Sequence, residues 1–463
     1  MNVGNTQEPI TLPEQLHSAK AIAKNSFWLL AEKIFRFLLS FFVGVWFARY
    51  LGPENYGKYA FAYSFVTLFS VLSTLGISRI ILKDLRGECS SNDTTILGSS
   101  LTLRIAGGIA LIFCTLIVIH FFGSGDEAIV YMVVVFSTSY LIQSFSVIEV
   151  WFQSQLKSRK IVNAKSIGLV FSTLLKVGLI LVESPVIYFA YCSVLEATLA
   201  MALLVVAYRS SGINIVSWSW NKTYCVGLLS QSWPLAFSTL SGIIYVQCDK
   251  LMLGEMASMA EVGIYAVYLQ LFLIPRFVFS SLNSSYAPVL INLYEKKTST
   301  FFAQLVKMLS INIWLAIWSI VILCLVGNNL IELLFGDEYV ASEEILYWLA
   351  ASFLLQVPSG LRIDYAVLKG ATRILFYLRL VSALINISLN FMLIPILGIL
   401  GAVISTFFTR LFFDFLINFV VPALRPYSRA YITACIDALA QKPLRLLISG
   451  ELMQTEGFNI KNG

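Results

Sequence analysis

Twelve stretches of this chain are each apolar over about 20 residues or more, the length that crosses the roughly 30 Å hydrocarbon core of a bilayer as a helix. They cover 27–50, 56–78, 97–121, 128–151, 162–182, 185–207, 227–248, 262–284, 304–326, 344–368, 374–396 and 399–421, and are called runs 1 to 12 below. Lipid offers no partner to a backbone N–H or C=O, so each run has to satisfy its own hydrogen bonds as a helix. Continuous apolar runs of this length exclude the short alternating strands of a membrane barrel. The charged fraction agrees: 13% against about 25% in soluble domains. What lies outside the runs is too short for a soluble domain: a polar segment 1–26, a linker 208–226, and a tail 422–463 with one amphipathic stretch near Ile432–Leu447. The polar start Met1–Glu14 lacks the build of a cleaved signal, so run 1 is expected to stay in the mature protein.

The runs form two sets of six. Run 1 ends and run 2 opens on Leu51-Gly52-Pro53-Glu54-Asn55-Tyr56-Gly57-Lys58-Tyr59-Ala60. Run 7 ends and run 8 opens on Leu253-Gly254, then Glu261-Val262-Gly263-Ile264-Tyr265-Ala266. Pairing runs 1–6 with 7–12 gives start-to-start offsets of 200, 206, 207, 216, 212 and 214 residues. A second phrase keeps the register: Leu156-Lys157-Ser158 after run 4, Leu368-Lys369-Gly370 at run 10. Six spans is an even number, so both sets enter the bilayer from the same side. The predicted fold is therefore an all-α integral membrane protein of twelve transmembrane helices: two parallel-repeat six-helix bundles, 27–207 and 227–421, around a central cavity.

Lys and Arg orient it. Even-numbered connections hold twelve of them, whereas odd-numbered connections hold only Lys250, beside acidic residues that include Glu54, Asp126, Glu127, Glu183, Glu255, Asp337 and Glu338. Arg49 and Lys58 border the first odd connection without reversing the bias. Even connections and both termini are expected in the cytoplasm. The net charge of +6 then follows largely from orientation, and no nucleic-acid partner is needed to explain it. Seven scattered cysteines and two distant histidines, His17 and His120, give no metal or cofactor pattern.

An ionisable side chain in the hydrocarbon costs about 2.5–3.5 kcal/mol on insertion scales and persists where it faces water. Arg36, Arg276 and Arg410 lie near the middle of runs 1, 8 and 12; Lys176 is deep in run 5, and Arg104 about two turns into run 3. Acidic counterparts are Glu196, with Glu32 and Asp414 each four residues from an arginine and placed to neutralise it. Arg36, Arg104, Lys176, Arg276 and Arg410 are the candidate substrate contacts in a net-positive lumen. Glu196, Asp249 and Asp414 are candidates for coupling or gating. For Arg104, Arg379 and Lys307, snorkelling to the headgroups is the competing account. Asp249-Lys250 is placed at the outer end of run 7, Asn386 and Asn390 one turn apart in run 11 suggest helix packing, and Pro234, Pro275 and Pro358 suggest kinks. Arginine forks and lysine point charges suit phosphate.

At these residues the chain resembles Wzx-type polysaccharide flippases. The resemblance rests on Phe47-Ala48-Arg49-Tyr50-Leu51-Gly52-Pro53-Glu54-Asn55-Tyr56-Gly57 and on Asp249-Lys250-Leu251-Met252-Leu253-Gly254 leading to Val262-Gly263-Ile264-Tyr265. It rests also on Leu334-Phe335-Gly336-Asp337-Glu338-Tyr339 and on the asparagine-bearing stretch 386–402, which runs into Ile394-Pro395 and Gly401-Ala402. Their superfamily also holds multidrug extruders and the lipid II flippase. The resemblance implies a V of two bundles that passes an undecaprenyl-pyrophosphate-linked oligosaccharide outward for O-antigen or capsule synthesis. A proton or sodium gradient, or consumption of the product outside, would drive it, and a polymerase and chain-length proteins would take up the product. No phosphate-binding loop of a nucleotidase lies in a soluble domain, so the chain reads as a transporter and not as an enzyme. The competing functions are a cation-coupled drug extruder, which calls for membrane carboxylates in excess, and a membrane polymerase or ligase, which calls for large outer loops. The repeated Leu-Gly…Gly-x-Tyr-Ala phrase is expected to act as a hinge or outer gate, not as a ligand.

Overall fold

The computed structural model describes residues 12–86, 93–122, 125–212, 214–296 and 300–442, and their side chains from Lys33 onward with Phe122 and Thr372 excepted. Among the described residues every regular element is helical. In the first half, α1 (Leu12–Thr74) carries runs 1 and 2 and α2 (Ser78–Asp84) follows; α3 (Asp93–Phe122) is run 3. Run 4 is α4 (Glu127–Ile142) and α5 (Val147–Ser154), and runs 5 and 6 are α6 (Ser158–Leu181) and α7 (Val186–Arg209). In the second half, α8 (Lys222–Met256) is run 7, α9 (Met259–Leu271) with α10 (Leu273–Glu295) run 8, and α11 (Phe301–Phe335) run 9. Run 10 is α12 (Glu343–Gln356) with α13 (Ser359–Leu368), and run 11 is α14 (Thr372–Leu397). Run 12 is α15 (Ile399–Arg410), a π-helical segment Leu411–Leu416, and α16 (Ile417–Val420). In the tail, α17 (Arg425–Leu439) begins earlier than the amphipathic stretch read from sequence, whose last residues 443–447 lie outside the described part.

Among the described residues eight helices are long and apolar enough to cross a membrane on length and composition, or nine with α9 and α10 counted as one span bent by 43°. The break of α1 at Gly52 divides the first of them in two, and the more polar α8 and the broken α12–α13 pair complete the twelve. Gly52 (φ 71°) adopts a left-handed conformation that a side chain would resist, and Pro53 then starts the next arm with its φ already helical. The matching junction of the second half uses other chemistry. Ala257 leaves the helix and the Ser258 hydroxyl accepts from Glu261 N, capping α9. Of the three prolines expected to kink, Pro275 sits at the α9–α10 bend and Pro358 between α12 and α13, whereas α8 passes through Pro234 as one helix.

Core packing shows how the halves meet. Near the odd connections one apolar core draws on both halves, from Phe41, Phe61 and Phe136 to Tyr268, Phe335 and Val403, with a small cluster of Phe47, Leu51, Ile180 and Phe189 beside it. Near the even connections the cores are separate. One gathers Ile81, Trp151, Leu204 and Leu228; the other gathers Leu305, Leu361, Tyr365 and Tyr427. The molecule is thus a V, joined at the odd face, whose two walls are packed independently toward the even face. The start of α8 belongs to the first wall: Tyr224 Oη donates to Asp84 Oδ2 at 2.7 Å and Asn221 N to Ser99 Oγ at 3.0 Å.

Candidate functional site: a basic cavity closed by the repeated phrase

A cavity of about 580 Å³ lies between the halves. Its charged lining is Lys250, Arg276, Arg362, Arg379 and Arg410 against Asp249 and Asp414, five cations to two carboxylates. Every one of these residues comes from the second half. The first half contributes only Tyr56, Tyr59, Ala60 and Tyr63, one face of the second arm of α1.

Helix breaks aim the arginines. Arg276 follows the α9–α10 bend and donates from Nη2 to Gln356 Oε1 at 2.9 Å, at the end of α12. Arg362, four residues beyond Pro358, donates to Asp414 Oδ1 at 2.7 Å and to the Phe413 carbonyl. Both acceptors belong to the π-helical segment, whose wider turn presents carbonyls that an α-helix would keep for itself. Arg410 donates to Ser352 O at 3.1 Å. The Arg410/Asp414 pairing expected from i,i+4 spacing is therefore replaced by Arg362/Asp414, because the π segment begins directly after Arg410 and shifts the register. The Glu32 side chain, expected to partner Arg36, lies outside the described residues.

The remaining candidates sit elsewhere. Arg104 is 4% exposed inside the first half, donating to Ser78 Oγ at 2.8 Å and to Ser146 Oγ. Lys176 and Glu196 are partly buried on the adjacent helices α6 and α7, both close to Cys192. Arg36 is partly exposed on the first arm of α1, next to Phe37, whose ring stacks on Phe277 at 4.6 Å. None of the four lines the cavity. Position along a run gives depth in the membrane but not which side of the helix faces inward. For the same reason the sequence reading left Arg362 out of the candidates and Arg379 undecided between the lumen and the headgroups, whereas both line the cavity.

Asp249 is 5% exposed and stands inside α8, not at its outer end, since the helix continues to Met256. Tyr265 Oη and Thr406 Oγ1 donate to its Oδ2 at 2.7 and 2.8 Å, and Asn390 Nδ2 donates to Oδ1 at 2.7 Å. Asn386 accepts from the Cys248 thiol at 2.9 Å. Asn390 Oδ1, fully buried, has no donor. One carboxylate thus ties α8, α9, α14 and α15 together, beside an oxygen with spare acceptor capacity. Such an arrangement fits a proton or a small monovalent cation, which oxygen donors hold without a second charge.

The odd end of the cavity is sealed by the two copies of the repeated phrase. Gly57 packs so closely that a Cβ there would stand 1.7 Å from Met259 O; one on Gly263 would stand 2.0 Å from Pro53 O. The sequence register pairs these same two glycines, and they meet back to back. Around them Tyr339 Oη donates to Ala48 O at 2.6 Å, Arg49 Nη1 to Leu333 O at 3.0 Å and Tyr56 Oη to Gln270 Oε1 at 3.4 Å. The fourth phrase joins them, since Glu261 Oε2 accepts from Ile399 N at 2.9 Å.

Comparison with known proteins places the chain. It is 23% identical over 399 residues to the capsular polysaccharide biosynthesis protein CapF of Staphylococcus aureus, covering 83% of this chain and 95% of that one. Its fold matches a structure of the lipid II flippase MurJ in an inward closed conformation (TM-score 0.67, 13% identity, 89% of this chain and 92% of that one). It also matches an inward-facing multidrug-resistance MATE family transporter (TM-score 0.61, 14% identity, 86% and 95%). Residues 22–294 match the family model described as polysaccharide biosynthesis protein. The chain belongs to the polysaccharide biosynthesis protein family.

Proposed function

We propose that this protein is a flippase that carries a lipid-linked oligosaccharide, its glycan joined to undecaprenyl pyrophosphate, across the bacterial inner membrane for capsule or O-antigen synthesis. The observation that carries the reading is the charge surplus of the cavity: five cations against two carboxylates at membrane depth, in a member of a polysaccharide family. Arginine forks match a pyrophosphate better than any neutral or cationic cargo. The polyprenyl chain stays in lipid while the polar head enters between the walls, which are separate toward the even, cytoplasmic face and joined at the outer one. Opening the glycine seal and closing the even face releases the head group outside, to a polymerase and its chain-length partners. Both termini are cytoplasmic in this orientation.

Transport against a gradient of product needs a driving ion, and Asp249 is the coupling carboxylate in this reading. Its charge holds donors from three other helices of the second half, so adding a proton or a sodium ion changes the packing of that wall. Asp249→Asn keeps the size and removes the charge change. In liposomes, the variant is expected to transport at a rate indifferent to an imposed proton or sodium gradient, whereas the parent responds. An undiminished response in the variant would remove Asp249 from coupling.

One observation favours a second reading: the fold likeness to a MATE transporter admits a cation-coupled drug extruder. The basic surplus weighs against it. Deletion separates the two. A flippase leaves lipid-linked oligosaccharide accumulating in the cytoplasmic leaflet; an extruder leaves drug accumulating in the cell.

A further inference from the structure

The two walls of the cavity carry different chemistry, and the difference has a purpose beyond holding an anion. All the formal charge is on the second half, and the first half presents Tyr56, Tyr59 and Tyr63, at i, i+3 and i+7 on one helical face. These rings are held from behind. Phe47 meets Tyr56 and Tyr59 edge-on, at centroid distances of 5.8 and 4.9 Å with interplanar angles of 79° and 76°. Phe136 does the same for Tyr59 and Tyr63, at 5.2 and 5.6 Å and 84° and 85°. Two hydroxyls are anchored as well, Tyr56 to Gln270 and Tyr59 to Ser193, each at 3.4 Å. The result is a rigid aromatic face, wettest at Tyr63, which is 45% exposed.

A buttressed tyrosine stripe is poorly suited to phosphate. The face of an aromatic ring carries partial negative charge and repels an anion, but it attracts the partially positive C–H groups of a sugar ring, and the phenol adds a hydrogen-bonding handle. The repeat sharpens the contrast. The counterpart of Tyr59 in the second half is Tyr265, and its hydroxyl is engaged by Asp249. The second half adds rings of its own to the lining, Tyr245, Tyr265 and Phe413 among them, but these stand among its charges, whereas the tyrosines of the first half have no charged residue beside them in the lining.

We propose that the substrate lies across the V with its pyrophosphate on the arginine wall of the second half and its glycan on the Tyr56–Tyr59–Tyr63 wall of the first, so that the tyrosine stripe reads the sugar. This rests on the flippase reading above and adds to it an orientation for the cargo and a set of specificity-determining residues. In an extruder of hydrophobic cations the same rings would attract the cargo, so it is the arginine wall opposite, repulsive to a cation, that sets the two readings apart.

The test is binding to purified protein by native mass spectrometry, with two probes: undecaprenyl pyrophosphate bearing no sugar, and the lipid-linked oligosaccharide extracted from cells in which this chain is deleted. The parent is expected to bind the glycosylated lipid more tightly than the bare one. Tyr63→Leu and Tyr59→Leu should each lower affinity for the glycosylated lipid about tenfold and leave the bare lipid unchanged, whereas Tyr63→Phe, which keeps the ring, should stay within about threefold of the parent. The large exposure of Tyr63 makes its replacement the safer for folding, and thermal unfolding of each variant checks that. Equal loss for both lipids would overturn the assignment and place the stripe on the pyrophosphate or the lipid tail. No loss for the glycosylated lipid would overturn it outright. If the parent binds neither lipid, the flippase reading itself falls, and that arm identifies which of the two claims has failed.

Discussion

Arg276→Ala is expected to abolish surface polysaccharide while leaving the protein at normal abundance in the membrane. The guanidinium stands in the cavity with one donor engaged by Gln356 and, among the described residues, no ion pair to a carboxylate. A hydrogen bond to a charged group contributes about 1.5–3 kcal/mol. Loss of one such contact to pyrophosphate therefore lowers affinity about tenfold to 150-fold. Arg410→Ala should act in the same direction but also release Ser352 O, so part of its effect will appear as lower stability. Arg36→Ala is the informative contrast. From the sequence alone Arg36 ranks with Arg276, but it does not line the cavity, and its replacement should leave polysaccharide within about twofold of the parent. Surface polysaccharide assay and quantitative immunoblot of the three variants check this. Equal loss from Arg36 and Arg276 would mean that depth alone decides, not the cavity.

The second large effect belongs to the seal. Gly263→Ala puts a methyl group where Pro53 O now sits, and Gly57→Ala meets Met259 O, both backbone atoms that cannot swing aside. Overpacking of this kind costs about 1–3 kcal/mol. Here the cost is paid only while the odd face is closed, so it shifts the balance between closed and open seals by about five- to 150-fold. The expected result is a chain that folds but rests with its outer face open. A cysteine introduced at Ala60, which lines the cavity about one turn inside Gly57, should become reactive to a membrane-impermeant maleimide added from outside in the Gly263→Ala background and stay protected in the parent. Protection in both would show that the glycine contact does not control opening.

The residues that made the chain readable are the residues of this seal. The phrase at 47–57, its copy through Gly263, the Leu334–Tyr339 segment and the 394–402 stretch all meet at the odd face, through Tyr339 to Ala48, Gly57 to Gly263 and Glu261 to Ile399. Close backbone approach admits few side chains, so it leaves a pattern in sequence. The cavity leaves none of that kind. Arg362, Arg379 and the tyrosine stripe require only a side chain of the right type on the inward side, and that side is set by local devices: the break at Pro358, the π segment after Arg410, the bend at Pro275. Run positions and charge bias therefore gave the number of helices, and the mid-membrane positions of Arg276 and Arg410 drew attention to two residues that the structure places in the cavity. The same reasoning selected Arg104, whose membrane-depth charge is met by Ser78 and Ser146 within the first half. It also put Asp249 at a surface because it took the end of the apolar run for the end of the helix, while α8 continues past it.

The central claim, that the basic cavity moves a lipid-linked oligosaccharide between leaflets, is tested most directly by the sidedness of that lipid. Inverted and right-side-out membrane vesicles from cells with and without this chain would be treated with a membrane-impermeant glycan-oxidising reagent, and the labelled lipid-linked oligosaccharide counted. The account predicts that without the chain nearly all label appears in inverted vesicles, that the chain restores label to right-side-out vesicles, and that Arg276→Ala does not. Equal labelling of the outer leaflet with and without the chain would contradict it.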